Sequence, residues 1–537
     1  MYGAAAVGLG FALLVGCGGG DGTGVDAALD ANLDANLDAA LDADLPDAAL
    51  DAAQPDAAPE LLSFEVTVPA NTPPEDQVFV HSGLGGLPMQ RTGARSFRLT
   101  VTRDDLMGHD FDGTTVHYAY SRDGLGYYGG EFFPSDPAQI PWAGQRSAAF
   151  AGPNATVTDT VTRWRYSPAD TETLPTLSAS TAALAPRPAG WTFQAGIQIA
   201  DYWPGTVDGP PAYVDATSQA IARTHATWVQ VAPPWDYQQL FPRPIIKNDP
   251  ALVPGYPEAD LRSHVRNLKA HGFHVLFRIQ VCCTSPTEAQ VATASSAWFD
   301  DWFAQYDAFV LYHAQLAQQE GVEAILLDWS GNLMLPGAPS APVDSAARWN
   351  AVLDHARAAY TGRLGYDLLT LGGGDPSAPP WPFSSLGPLA ARFDFFGIAM
   401  WGPLATTTTP TQSQLDQAVA ALFAGTFASV SSATGKPVII SGLAYGSYDG
   451  AAQAAISESN PGFAAAFDRE ATATLPYDPL EQAMIVQAVM ANIATTPAVV
   501  GLYPFHYNWV SLPKDAAFSV RGKTAESVLT QWYATLP

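Results

Sequence analysis

Positive charge is scarce in this chain. Against 52 Asp and Glu stand 25 Lys and Arg over 537 residues, a formal net charge of −27. That excludes broad nucleic-acid contact, because phosphate backbones are met by clustered Lys and Arg. Cysteine is scarcer still, at 3. No Cys-x-x-Cys or His-x-x-x-His supplies the ligands of a zinc site, so no metal is expected. Gly372-Gly373-Gly374-Asp375 lacks the Lys-Ser/Thr ending of a phosphate-binding loop. No Gly-x-Ser-x-Gly elbow precedes a helix, which leaves an α/β-hydrolase nucleophile without support. No organic cofactor is implied. Aromatics, by contrast, are plentiful at 11%, with 14 Trp.

Long apolar runs are missing too. Ala4–Gly16 is apolar but too short for a comfortable membrane span, and reads as a targeting segment. Its ending, Leu14-Val15-Gly16-Cys17, resembles the lipobox of bacterial lipoproteins. The resemblance implies that residues 1–17 are a signal peptide and that Cys17 is lipidated. Gly18 after the Cys points to the outer membrane or cell surface. A plain secretory signal with a chance Cys is the alternative. Residues 18–60 repeat Ala-Asn-Leu-Asp and Pro-Asp-Ala-Ala. Asp at every fourth position would stack like charges on one helix face, so this is a solvated acidic linker. An Asp-rich calcium repeat is disfavoured because the Asp-x-Asp-x-Asp-Gly spacing is absent.

Residues 61–168 change character. Leu61–Ala70, Gln77–Gly83, Ser96–Arg103, Thr114–Arg122 and Thr156–Tyr166 alternate apolar and polar residues between Pro, Gly and Asn. That pattern predicts an all-β, immunoglobulin-like sandwich. Phe64–Pro73, Val78–Gly83, Val116–Arg122 and Asp159–Arg165 together resemble the starch-binding-type carbohydrate modules. The resemblance implies glycan binding, with Tyr127, Tyr128 and Trp142 as stacking candidates; packing or interdomain contact is the competing reading. Residues 169–190 read as a linker.

From 191 to 537, eight short continuous apolar runs alternate with amphipathic stretches such as Glu258–His271, Ala297–Gln319, Asp344–Tyr360, Leu415–Ala428 and Leu480–Ile493. Continuous rather than alternating runs suit strands covered on both faces. Eight strand–helix units predict an α/β fold, a (β/α)8 TIM barrel with its site at the strand carboxyl ends. Ala226–Trp235, His271–Arg278, Trp298–Ala317, Phe393–Ile398, Gly435–Ile440 and Phe518–Leu529 resemble the clan A bacterial glycosidases, near the family 113 endo-mannanases.

Those enzymes use two glutamates, ending strands 4 and 7, to donate a proton and to attack or activate water. Here the matching positions are Asn332 and Gly442. Neither side chain titrates as a carboxylate. Carboxylates near other predicted strand ends are Asp201, Asp236, Asp328 and Asp375. Asp328, after Ile325-Leu326-Leu327 and before Trp329, is the first catalytic candidate, since desolvation there would tune its pKa. Asp375 is its nearest partner by topology. Both have the competing reading of Asp as a loop or helix cap. Asp394 and Glu323 belong to the entry side of the barrel and are set aside.

Candidate substrate-binding residues are Trp203, Trp235, Asp236, Arg278, Trp329, Asn332, Trp401, Tyr445, His506 and Trp509, since aromatic faces stack on sugar rings. Arg278 and Gln280 alternate with apolar neighbours and so point into the barrel mouth or form a buried pair. Cys282 and Cys283 form a vicinal disulfide or two reduced thiols. The resulting expectation is a monomeric, lipid-anchored glycoside hydrolase at the cell surface, with a displaced carboxylate pair. A catalytically silent glycan-binding lipoprotein is the alternative. Expected partners are a carbohydrate and the membrane under the anchor.

Overall fold

The structure is a computed structural model. It describes residues 60–83, 85–122, 129–133, 146–199, 210–248, 257–282, 286–327, 329–371, 383–453 and 475–536. The expected signal segment, Cys17 and the acidic linker to residue 59 therefore lie outside the described residues. No described helix is long and apolar enough to cross a membrane.

Among the described residues eight strands come first: Leu61–Thr67 (β1), Phe79–Ser82 (β2), Gly85–Pro88 (β3), Gln90–Arg91 (β4), Ser96–Val101 (β5), Thr115–Ser121 (β6), Arg146–Ala149 (β7) and Asn154–Thr160 (β8). They form two four-stranded sheets, ordered β4-β5-β1-β8 and β3-β2-β6-β7. Alternation puts Leu62, Phe64 and Val66 of β1 against Val116, Tyr118 and Tyr120 of β6 in one shared core. Phe64 meets Tyr118 edge-on at 4.9 Å. Three strands, β3, β4 and β7, are additional to the sequence expectation. They are short, or lack an apolar alternation.

The second region is a closed ring. Its strands are Gln194–Gln198 (β9), Trp228–Val231 (β10), His274–Cys282 (β13), Ala324–Leu327 (β14), Arg363–Leu371 (β15), Phe395–Met400 (β16), Val438–Leu443 (β17) and Val499–Pro504 (β18). Every neighbour pair is parallel, and β9 pairs with both β10 and β18, which closes the barrel. The run Ala226–Tyr237, expected as one strand, is broken at Pro233-Pro234. Proline cannot donate to a sheet ladder. The chain resumes as Pro234–Gln239 (β11), parallel to the end of β13, and turns back as Ile245–Lys247 (β12).

Helices Pro210–Arg223 (α1), Glu258–Ala270 (α2), Glu288–Ala292 (α3), Ser296–Glu320 (α4), Ser345–Ala359 (α5), Gln412–Leu422 (α6), Ala428–Thr434 (α7), Pro479–Thr495 (α8) and Thr524–Tyr533 (α9) surround the ring. Helix α4 shows why they form. Ser295 caps its first turn by accepting from the Trp298 N–H at 3.2 Å, and Gly321 ends it at φ 67. Between the caps, Trp298, Trp302, Phe309 and His313 are buried on the barrel side.

The two regions meet through buried charge. Arg122 Nη1 lies 2.9 Å from Asp76 Oδ2, and its Nη2 donates to the Ser511 carbonyl at 2.8 Å. From the barrel, Arg521 Nη2 reaches Glu75 at 3.4 Å and Asp76 at 3.6 Å. Arg223 of α1 completes the cluster, 2.6 Å from Glu75. Burial raises the Asp76 carboxyl, whereas for Glu75 burial is outweighed by Arg223 and Arg521, which hold it low. Lys514 N–H also donates to the Tyr166 carbonyl at 2.8 Å. The segment from 169 to 190 runs along the outside of the barrel: Ala179 N–H donates to Gln531 at 2.9 Å and Arg187 to the Thr496 carbonyl at 2.7 Å.

Candidate functional site

Strand alternation sorts the barrel interior into layers. Ala195, Ile197 and Ile199 of the first strand face the helices, so Gln194, Gly196 and Gln198 face inward. The same logic gives an apolar plug at the entry end: Trp228, Leu276, Ala324, Leu326, Phe395, Ile439, Val500 and Tyr503. At the carboxyl end, Ala399, Trp401, Ala444, Phe505 and Phe518 make an apolar rim.

Between plug and rim lies a polar floor of Gln198, Gln230, Arg278, Asp367 and Ser441, all essentially inaccessible. Arg278 Nε donates to Asp367 Oδ2 at 2.9 Å, and its Nη2 lies 2.8 Å from the same oxygen. Ser441 Oγ donates to Asp367 Oδ1 at 2.8 Å. Burial raises the Asp367 carboxyl, and the Arg278 charge and Ser441 hydroxyl pull it back. Gly397 is glycine for a visible reason: a Cβ there would stand 2.6 Å from Asp367 Oδ1. Gln230 Nε2 donates to the Ser441 carbonyl at 3.0 Å. The remaining amide atoms, Gln230 Oε1 and both of Gln198, make no hydrogen bond.

Gly442, matched by resemblance to a strand-7 glutamate, borders this floor. A Cβ built there would meet Phe505, Ala399 and Gln198 Oε1 at 3.6, 3.8 and 3.9 Å, ordinary contact distances. Asn332, matched to the strand-4 glutamate, goes elsewhere. Its Nδ2 donates to the Leu368 carbonyl at 3.2 Å, and its Oδ1 accepts from Tyr366 Oη at 3.0 Å. Tyr366 packs on Trp349 of α5, so Asn332 anchors the outer side of β15.

The expected aromatic lining divides in the same way. Trp401 stands at the rim. His506, at φ 65, stacks on Phe505 of the rim with centroids 5.2 Å apart. Trp235 instead packs on Phe309, Tyr312 and His313 of α4. Tyr445 belongs to the helix-side core and donates to the Gly402 carbonyl at 2.6 Å. Trp509 lies 5.4 Å from His264 of α2. Asp236 is buried on β11, in register with Lys247 and Cys282. Asp328, Asp375, Trp203 and Cys283, like the stacking candidates Tyr127, Tyr128 and Trp142, lie outside the described residues, as do the side chains of Trp329 and Cys282.

Four floor residues escape the sequence reading: Gln198, Gln230, Asp367 and Ser441. Their signal was present as a polar residue at every second position inside an apolar run.

A carboxylate group elsewhere has the spacing of a cation site. Asp449, Asp478 and Glu481 can each bring one oxygen within 4.8 Å of the others. Two of the three already serve the backbone. Asp478 accepts from the Leu480 and Glu481 N–H groups and caps α8. Glu481 accepts from Gly450 and Ala452, and burial pushes it up to about 7. The grouping is a loop anchor.

No family model and no curated protein matches the chain. Among solved structures it is similar to a family 113 β-mannanase from Alicyclobacillus acidocaldarius, 16% identical over 65% of this chain and 99% of that one, with a TM-score of 0.48. It is also similar to fungal β-1,4-galactanases, at 14% identity over 64% and 100%, TM-score 0.38. A family 5 mannosidase from Rhizomucor miehei matches at 9% identity over 64% and 92%, TM-score 0.39. The barrel assignment rests on the strand pairing itself.

Proposed function

We propose that the barrel takes a polysaccharide or oligosaccharide at the carboxyl ends of its strands and hydrolyses it with a displaced carboxylate pair. The observation that carries this is the polar floor under an aromatic rim, at the end of the ring where (β/α)8 enzymes place their chemistry. The sequence resemblance to clan A glycosidases supplies the reaction class. Asp328 and Asp375 are the proposed acids, on sequence grounds. The two-sheet domain is proposed as a carbohydrate module, and Cys17 as the lipid anchor of a surface monomer.

A second reading has its own support. Gly442 offers no carboxylate at the strand-7 end, and Asp367 is held by Arg278 and Ser441. Among the described floor residues no carboxylate is left to titrate on a substrate, which favours a glycan-binding barrel without cleavage.

Incubating the purified chain with mannans, glucans and xylans, beside Asp328→Asn and Asp375→Asn variants, separates the two. Hydrolysis is expected from the wild type and a loss of at least about 100-fold from Asp328→Asn, the scale of general acid catalysis. Equal product from both would remove Asp328 from the mechanism. Binding without product would establish the silent reading.

A further inference from the structure

Gln198 and Gln230 are direct partners in the β9–β10 register, so their side chains leave neighbouring strands on the same inner face. Parallel strands lie about 4.8 Å apart, close enough for the two amides to bond each other, yet they do not. Three polar atoms are left over: Gln198 Oε1, Gln198 Nε2 and Gln230 Oε1. Both residues are 0% exposed. Buried polar atoms in folded proteins nearly always have partners, and an orphaned set calls for a bound group.

Space and charge narrow what that group is. The position beyond Gly442 Cα accepts one more heavy atom at 3.9 Å from Gln198 Oε1, with Phe505 and Ala399 on its other sides. Among the described floor residues stand one cation and one carboxylate, Arg278 and Asp367, and they are bonded to each other. Among those residues an anionic ligand would find no free cation, and a cationic one no free carboxylate. An amide offers a donor and an acceptor, which match a hydroxyl that does both.

We propose that Gln198 and Gln230 form an amide pair that reads the hydroxyl groups of a neutral glycan beside Gly442. This rests on the glycan reading above and adds the ligand class and the residues that select it. Gln198 binds with both amide atoms and Gln230 with its free oxygen.

The test is calorimetric binding by the full chain. Probes are β-1,4-linked mannose, glucose and xylose hexamers as neutral ligands, with oligogalacturonate and chitosan hexamers as charged ones. The wild type is expected to bind at least one neutral hexamer and neither charged one. Gln198→Met keeps the length of the side chain and removes its hydrogen bonds, which lowers that affinity by about tenfold. Its thermal midpoint holds or rises, because an orphaned buried amide is gone. Gly442→Leu sets a side chain against Gln198 Oε1 and reduces binding below detection, an independent check if the first variant does not fold. Unchanged affinity in Gln198→Met, or preference for a charged hexamer, overturns the amide-pair proposal while leaving the glycan reading intact. A wild type that binds none of the five probes overturns the glycan reading itself, and the proposal with it.

Discussion

Charge and amide groups are buried in two places in this molecule, and the two are built differently. At the seam between the sheets and the barrel, Arg122 and Arg521 are matched by Asp76, Glu75 and carbonyls, so that each guanidinium has several partners. On the barrel floor Arg278 and Asp367 are matched, but the adjacent amides are not. The seam leaves one carboxylate oxygen, Glu75 Oε2, without a hydrogen bond, against three amide atoms on the floor; a mostly matched network holds parts together, whereas a cluster of orphaned groups is kept at a cost in stability and points to a use outside folding. The seam reads as structure and the floor as a site.

Three measurements press on that contrast. The largest effect is expected from Arg122→Met, which takes the 2.9 Å partner from buried Asp76 and leaves it only Arg521 at 3.6 Å. Breaking a buried ion pair by removing one partner costs about 3–5 kcal/mol, to be seen as a shift of the urea midpoint. A loss below about 1 kcal/mol, the scale of an exposed pair, would mean that the seam is wet and the contrast false. On the floor, Arg278→Met alone should cost a comparable amount. The double variant Arg278→Met with Asp367→Leu should recover most of it, since paired apolar replacements are often neutral. Failure to recover would show that the pair does more than neutralise itself.

The smallest effect is a pH slope from the helix layer, which is neither seam nor floor. Burial pushes His313 down to about 4, although its Nδ1 donates to the Phe309 carbonyl. His264 is pushed down to about 3 by burial. An unfolded imidazole takes up a proton near 6.5. Between 6.5 and about 4 the unfolded chain therefore holds the extra proton, and stability falls as pH falls. Each His contributes up to about 1.4 kcal/mol per pH unit. Urea titrations of His313→Leu across that window should show a shallower slope than the wild type. An unchanged slope would place the acid sensitivity elsewhere.

Much of the ring was legible because its strands are short, apolar on both faces and separated by helices of ordinary length. The expected Ala297–Gln319 and Leu480–Ile493 fall within one or two residues of the observed α4 and within α8. Helix α1 was not read, because Val214, Ala216, Ala220 and Ile221 make a thin stripe of mostly small residues. The floor resisted for a different reason. Asp367 meets Arg278 across 89 positions and Ser441 across 74. No local spacing encodes such a meeting, which needs the closed ring. The aromatic lining was overcalled because strand ends supply Trp to both faces. Only alternation counted from a fixed inward residue tells Trp401 from Trp235.

The contact between Glu75 and Arg521 spans 446 positions. During translation the two sheets would leave the ribosome with Glu75 facing water, before its partners Arg223 of α1 and Arg521 of the last βα loop exist. Loop closure over such a distance adds little free energy, as it grows with the logarithm of length, but it fixes an order of events. The early domain must persist undocked until the barrel's final helix is made, so its own core, from Leu62 to Trp164, has to sustain it alone.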